Sequence, residues 1–232
     1  MKISLTNAGK RFNREWIFRA ATIEFTSGSA YAITGPNGSG KSTLLQAVGG
    51  MLQLSEGTIA YEDRDQKSEI RGQKSEIRNQ KLNDADAYKQ ISFCAPYMEV
   101  IEEMTLLEFL KFHQQFKPLL SSFSPKKIIE EVGLGAAANK QIRYYSSGMK
   151  QRVKLAQAIF SATAAVLLDE PCSNLDAKGI ELYHSLITNY CKERLVIVCS
   201  NDEVEYSFCN EVLSMQTFKT PPSSRRGGQP AL

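Results

Sequence analysis

The nine residues "GPNGSGKST", Gly35 to Thr43, limit the fold more than any other stretch of this chain. They match G-x-x-x-x-G-K-[ST], they follow the apolar, β-rich "AYAIT", and they lead into a helix-like segment from Lys41 to about Met51. Strand, loop and helix thus come in the order that a phosphate-binding loop requires. Glycines let the backbone curl around an anion without Cβ collisions and aim N–H groups and a helix N-terminus at it. At ordinary glycine content, an accidental match in a chain this long has odds of about one in a hundred. Gly35, Pro36, Asn37, Gly38, Ser39, Gly40, Lys41, Ser42 and Thr43 form the candidate nucleotide-binding set. In that role Lys41 reaches the β- and γ-phosphates, and the Ser42 hydroxyl joins a Mg²⁺ shell.

A loop of this kind needs an acidic partner, and "AAVLLDEP" supplies one. Its apolar residues read as a strand that delivers Asp169 to the carboxyl end of a sheet, where open α/β folds bind ligands. Asp169 is the candidate metal partner. Glu170, next in the chain, is the candidate group for polarising a water that attacks the γ-phosphate.

Besides the runs at 29–34 and 164–168, three more read as short buried strands, at 57–61, 90–94 and 195–200. Helical patterns separate several of them, including a crossover-length segment at 177–193, so the expected class is α/β with a largely parallel sheet. The region from about 98 to 161 differs. Leu106, Phe109, Phe112 and Phe116, then Val153, Ala156 and Phe160, keep a helical period with no convincing strand between them, which predicts an inserted helical lobe.

At 232 residues the chain has room for one domain carrying such an insert. With 28 basic and 25 acidic residues, the net charge of +3 gives little support to general nucleic-acid binding. Cys94, Cys172, Cys191, Cys199 and Cys209 have no metal-ligand spacing and read as reduced core thiols. His113 and His184 lie within helical patterns away from the motifs and read as packing or surface residues. No apolar stretch reaches the roughly 18 residues that a membrane span needs. The doubled "QKSEIR" from residue 66 has one apolar residue per unit, too few for a coiled coil, and reads as a surface excursion between strands. The segment "TPPSSRRGGQPAL" from 220 reads as a disordered tail.

Taken together, the motifs resemble those of the nucleotide-binding subunit of ATP-binding cassette (ABC) proteins. "GPNGSGKST" is similar to their Walker A and "VLLDEP" to their Walker B; "YSSGMKQR" at 145–152 resembles their signature, and "SNLD" at 173–176 their D-loop with Asp176. The resemblance implies a P-loop NTPase of ABC ATPase type: a mostly parallel sheet core, an antiparallel β portion and an inserted helical subdomain. It places the cassette at 1–215 and leaves 216–232 as tail. It also implies ATP and Mg²⁺ as ligands and a second cassette, identical or not, packed head to tail. Ser146, Ser147 and Gly148 would touch the partner's ATP, as suits a hydroxyl and N–H groups at a helix N-terminus. Phe12 would stack the adenine, with Trp16 as runner-up; a strand role for Phe12 stays open. A separate transmembrane permease would be powered from the inner, cytoplasmic face of the membrane, with no nucleic acid involved. The stretch "MEVIEEMTLLEFLKF" from Met98 resembles the corresponding part of export-type cassettes.

The pattern departs from the family at three sites of chemistry. The usual Leu-Ser-Gly-Gly-Gln of the signature is Tyr145, Ser146, Ser147, Gly148, Met149; Tyr97 falls where a glutamine is usual; and Asn201 stands in place of the switch histidine. Asparagine donates a hydrogen bond but carries no charge. Losing a transition-state contact of this kind costs about 2.7–4 kcal/mol, a hundred- to thousandfold in rate. With Lys41, Glu170 and Asn201 as the catalytic set, the expectation is an ATPase that hydrolyses slowly. The alternatives are a cassette that acts on nucleic acid or the ribosome and one that binds ATP with little turnover.

Overall fold

The computed structural model describes residues 1–64 and 79–219. Two long strands open the chain, β1 (Lys2–Phe12) and β2 (Glu15–Thr26), joined by a tight turn in which Asn13 has a φ of 54°. Ile3 and Leu5 of β1, and Phe18, Ile23 and Phe25 of β2, are buried. Polar residues between them face out, as the period of two in a strand dictates for a sheet with one wet face.

Next come β3 (Ala30–Thr34), α1 (Lys41–Val48), β4 (Glu56–Arg64), β5 (Asn79–Leu82), the short α2 (Asp84–Ala87) and β6 (Ile91–Cys94). Three helices follow with no strand of either sheet between them: α3 (Leu106–His113), α4 (Pro125–Glu131) and α5 (Ser147–Ile159). Their starts are written in the sequence. Thr105 and Glu108 form a reciprocal capping box at α3, and Ser124 caps α4 with Pro125 in its first turn. The chain then alternates again through β7 (Ala165–Asp169), α6 (Ala177–Tyr190), β8 (Leu195–Cys199), α7 (Glu203–Tyr206) and β9 (Glu211–Ser214).

The strands form an antiparallel sheet in the order β2-β1-β4-β5 and a parallel sheet in the order β6-β7-β8-β3-β9. Every residue of β7 and β8 is buried, because both faces of the parallel sheet are covered. Val166, Leu168, Val196 and Val198 join the core shared with α3 to α6. The alternating Leu167, Leu195, Ile197 and Cys199 join a second core with α1 and the antiparallel sheet. The class is therefore α/β, with a mostly parallel core, an antiparallel portion and a helical insert. Arg194 ties the amino end of β8 into this sandwich. Its buried guanidinium donates to the Thr163 carbonyl at 2.7 Å and the Ile159 carbonyl at 2.6 Å.

The sequence runs mark β3, β4, β6, β7 and β8 but miss β1, β2, β5 and β9, whose apolar residues are interrupted by polar ones. The helix expected to Met51 stops at Val48, ahead of Gly49 and Gly50. The first residues of the segment expected as tail from 216 are part of the fold. Met215–Phe218 form a 3-10 turn, and Met215 and Phe218 are buried against the second core. The "QKSEIR" repeat, apart from Asn79 in β5, and residues 220–232 lie outside the described residues.

Candidate functional site

Parallel register gathers the candidate residues. Ile33 of β3 is level with Cys199 of β8, and Asp169 of β7 is level with the same Cys199. The next residues of three adjacent strands therefore leave the sheet side by side: the loop from Gly35, Glu170, and Ser200 with Asn201. This is the carboxyl edge at which an open α/β sheet binds ligands.

At that edge α1 begins without a cap. Its N-cap, Gly40, has a φ of 98° and no side-chain hydrogen bond, and the first turn holds no acidic residue. A Cβ on Gly40 would lie 2.4 Å from Ile17 Cγ2, so only glycine fits here. The first N–H groups of a helix have no intrahelical partners, and at α1 they remain open to an anion. Lys41 is 5 % exposed, and its Nζ donates to the Gly35 carbonyl at 2.8 Å. The Ser39 Oγ is buried without a hydrogen-bond partner among the described residues.

Asp169 is 2 % exposed, and neither carboxylate oxygen has a hydrogen-bond partner among the described residues. Burial holds its pKa above the ordinary carboxylate range, against the opposing pull of the Ser42 and Tyr97 hydroxyls, which lie nearby without closing a hydrogen bond. Orphaned oxygens beside a helix N-terminus, a lysine and the Ser42 hydroxyl make a hard-oxygen donor set that fits Mg²⁺ shared with phosphates. Among the described residues, no cluster of three or more His, Cys, Asp or Glu could hold a metal ion alone. Glu170 follows in the left-handed region, φ 42°, with its N–H donating to the Cys199 carbonyl at 2.9 Å and its side chain exposed. A glutamate held in that conformation marks a strained position, of the kind concentrated at functional sites.

Asn201 reaches the phosphate loop directly. Its Oδ1 accepts from the Gly35 N–H at 3.2 Å, and its Nδ2 donates to Asn37 Oδ1 at 3.0 Å. The Tyr97 hydroxyl accepts from Gln46 Nε2 at 2.9 Å. Burial pushes the Tyr97 pKa up to about 12, and the nearby Asp169 charge adds to the rise. Gln46 sits one helical turn beyond Ser42, so both side chains leave the same face of α1. Phe12 ends β1 at 48 % exposure with Lys10 Nζ 5.1 Å from its ring centroid. Trp16 instead carries two guanidiniums over its ring, Arg11 at 5.6 Å and Arg19 at 4.5 Å.

The signature residues stand elsewhere. Ser146 caps α5, accepting from the Met149 N–H at 3.2 Å, and Asp176 caps α6, accepting from the Gly179 N–H at 2.8 Å. A Cβ on Gly148 would lie 2.8 Å from the Asn174 carbonyl oxygen, so the close approach of the two segments requires glycine there. Ser146, Ser147, Gly148, Arg152, Asn174 and Asp176 line a cavity of about 370 Å³ that includes none of Gly35 to Thr43, Asp169 or Glu170. One chain thus brings the phosphate loop together with Asn201 and brings Ser146 to Gly148 to the segment of Asn174 and Asp176, whose cavity includes no residue of the first group.

Three residues to which the motifs assigned no role also shape the site, Gln151 lying within the quoted 145–152 stretch and the other two outside any motif. Gln46 holds Tyr97, and its four-residue spacing from Ser42 is the one signal visible in the sequence. Gln151 Nε2 donates to the Pro171 carbonyl at 2.7 Å, fastening α5 to the chain after Glu170. Glu205 Oε1 accepts from the Cys172 N–H at 2.8 Å, fastening α7 to the same segment. Burial raises the Glu205 pKa, opposed by the Ser200 hydroxyl and the Cys172 N–H.

The sequence profile of the ABC transporter family matches residues 18–173. The uncharacterised ABC transporter ATP-binding protein YybJ of Bacillus subtilis is 28% identical over 96% of each chain. HrtA of Staphylococcus aureus, named as a hemin import ATP-binding protein, is 27% identical over 94% of this chain and 97% of its own. The dimeric bacterial ABC transporter cassette MJ0796 shares the fold, with a TM-score of 0.72 at 24% identity, covering 92% of this chain and 94% of that one. The chain belongs to the ABC transporter family and is one of its ATP-binding ATPase subunits.

Proposed function

We propose that this chain hydrolyses ATP to power a separate transmembrane subunit, working as one of two cassettes packed head to tail at the cytoplasmic face of a membrane. The observation that carries the reading is the orphaned Asp169 carboxylate beside the uncapped start of α1. Both need what a nucleotide with its metal brings. Gly35 to Thr43 wrap the phosphates, Phe12 takes the base, and Lys41 exchanges the Gly35 carbonyl for phosphate oxygens. When bound, Mg²⁺ would be held by Ser42 and Asp169 and would add positive charge at those oxygens. Glu170 polarises the attacking water, and Asn201 supplies an uncharged contact where a histidine is usual, so turnover is slow.

The pairing of cassettes is supported by the cavity at Ser146, Ser147 and Gly148, whose lining includes none of Gly35 to Thr43, Asp169 or Glu170: these residues serve the ATP of the facing copy or of a sister cassette. Membrane coupling is supported by the names of the relatives. It is also supported by a largely apolar groove of about 360 Å³ that includes Met51, Tyr88 and Phe116, all at least half exposed. Export is the direction we propose, from the resemblance of the segment after Met98 to export-type cassettes. The name of HrtA, which speaks of import, makes direction the point for a vesicle transport assay to decide.

Single-turnover hydrolysis tests the catalytic reading. Wild type turns over slowly, Glu170→Gln keeps ATP binding and loses about a hundredfold or more in rate, and Asn201→His is faster than wild type. Equal rates for all three would mean a cassette that binds ATP and does not hydrolyse it.

A further inference from the structure

Asn201 faces the phosphate loop with both ends of its amide engaged. Register puts it there: Ile33 pairs with Cys199, the Ser200 N–H donates to the Ile33 carbonyl at 3.2 Å, and Gly35 and Asn201 are the next residues out on neighbouring strands. The Asn201 Oδ1 takes the Gly35 N–H, and its Nδ2 reaches Asn37 Oδ1 two residues further along the loop. Gly35 is held a second time through its carbonyl, which accepts from Lys41 Nζ. These contacts stop at Asn37. The helix start at Gly40, which has no cap, stays open.

We propose that Asn201 and Asn37 form an amide clasp that holds the first turn of the phosphate loop in its wrapped shape and so sets affinity for nucleoside diphosphates and triphosphates alike. The inference rests on the proposed nucleotide site. When Lys41 turns to a phosphate it leaves the Gly35 carbonyl, and the Asn201 side chain then remains as a hold on Gly35. A loop held in shape loses less conformational freedom on binding, so the clasp favours complex formation. Its effect falls on the loop and not on any one phosphate. This distinguishes it from a contact to the γ-phosphate, which an ADP complex lacks. Asn201 is in this respect a positioning residue.

The test is a double-mutant cycle read by binding of fluorescent ADP and of a fluorescent non-hydrolysable ATP analogue to wild type, Asn37→Ala, Asn201→Ala and the double variant. Both side chains are exposed, and thermal unfolding of each variant checks that the fold is intact. Each single variant is expected to weaken both nucleotides by the same factor, about three- to tenfold, and the double variant by no more than the larger single effect. Weakening of the ATP analogue alone, additive effects, or unchanged affinity would each overturn the clasp. If wild type binds neither nucleotide, the proposed function falls and the clasp with it. If wild type binds both and Asn201→Ala is unchanged, the clasp alone falls.

Discussion

His113 shows how one side chain on the helical insert carries a pH dependence into the whole fold. Its Nε2 lies 2.8 Å from Ser161 Oγ, and that hydroxyl donates its own proton to the Gln157 carbonyl at 2.6 Å. Ser161 must therefore accept, and the neutral imidazole carries its proton on Nε2. Burial pushes the His113 pKa down to about 4, with the Lys117 ammonium adding to the fall. The native state prefers the neutral ring. Between pH 6.5 and 4 the unfolded chain binds a proton that the folded chain refuses, so stability is fully present above that window and is lost as pH falls through it. Allowing for solvent screening of a ring that is only partly buried, the loss is about 1–2 kcal/mol. Thermal midpoints measured across this range should fall less steeply in His113→Gln than in wild type. Identical slopes would show that the ring titrates as freely folded as unfolded.

Among the elements, α5 does most to join separate parts of the site. Its start, Ser146 to Gly148, lies against the D-loop; Gln151 fastens the chain after Glu170; Lys154 donates to the Pro96 carbonyl; and Lys150 pairs with Glu102 at 2.6 Å. One rigid helix thus contacts the segments on both sides of the insert. Gly148 is its most demanding position, because the oxygen a methyl would meet belongs to the backbone and cannot swing away. Gly148→Ala should push the D-loop and the start of α5 apart, lowering stability by about 1–3 kcal/mol. It should also reduce ATP-driven pairing of cassettes, measured by light scattering with hydrolysis blocked. Unchanged stability and pairing would show that the two segments yield without cost. The motif in the sequence identifies this glycine, but its reason, the Asn174 carbonyl, lies in a loop that only the packing of α5 on α6 brings near.

At the scale of the molecule, what could be read in the chain is what is continuous in it. Gly35 to Thr43 and Asp169 with Glu170 are contiguous, flanked by unbroken apolar strands, and the structure sets them at one sheet edge. β1 and β2 escape a search for apolar runs because their buried residues alternate with exposed ones and their register shifts at Leu5, Ala8 and Lys10. The pairs Asn201 with Gly35, and Tyr97 with Gln46, join residues far apart in the chain, and only the order of the sheet makes them neighbours. That order also concentrates an unfavourable feature: it holds the Asp169 carboxylate in the interior with no hydrogen-bond partner for either oxygen among the described residues. A buried acceptor left unpaired costs about 1–3 kcal/mol, so the site is built at the expense of the free protein's stability. Asp169→Asn removes the charge and keeps the shape. Without nucleotide, its thermal midpoint should lie about 2–4 °C above wild type, the shift expected for roughly 1 kcal/mol in a domain of this size. Wild type should gain further stability as MgATP is added, by RT ln(1 + [L]/Kd), whereas Asp169→Asn should gain much less. A variant no more stable than wild type when free, yet equally stabilised by MgATP, would mean that the Asp169 charge is neither a burden to the free protein nor part of what holds the metal.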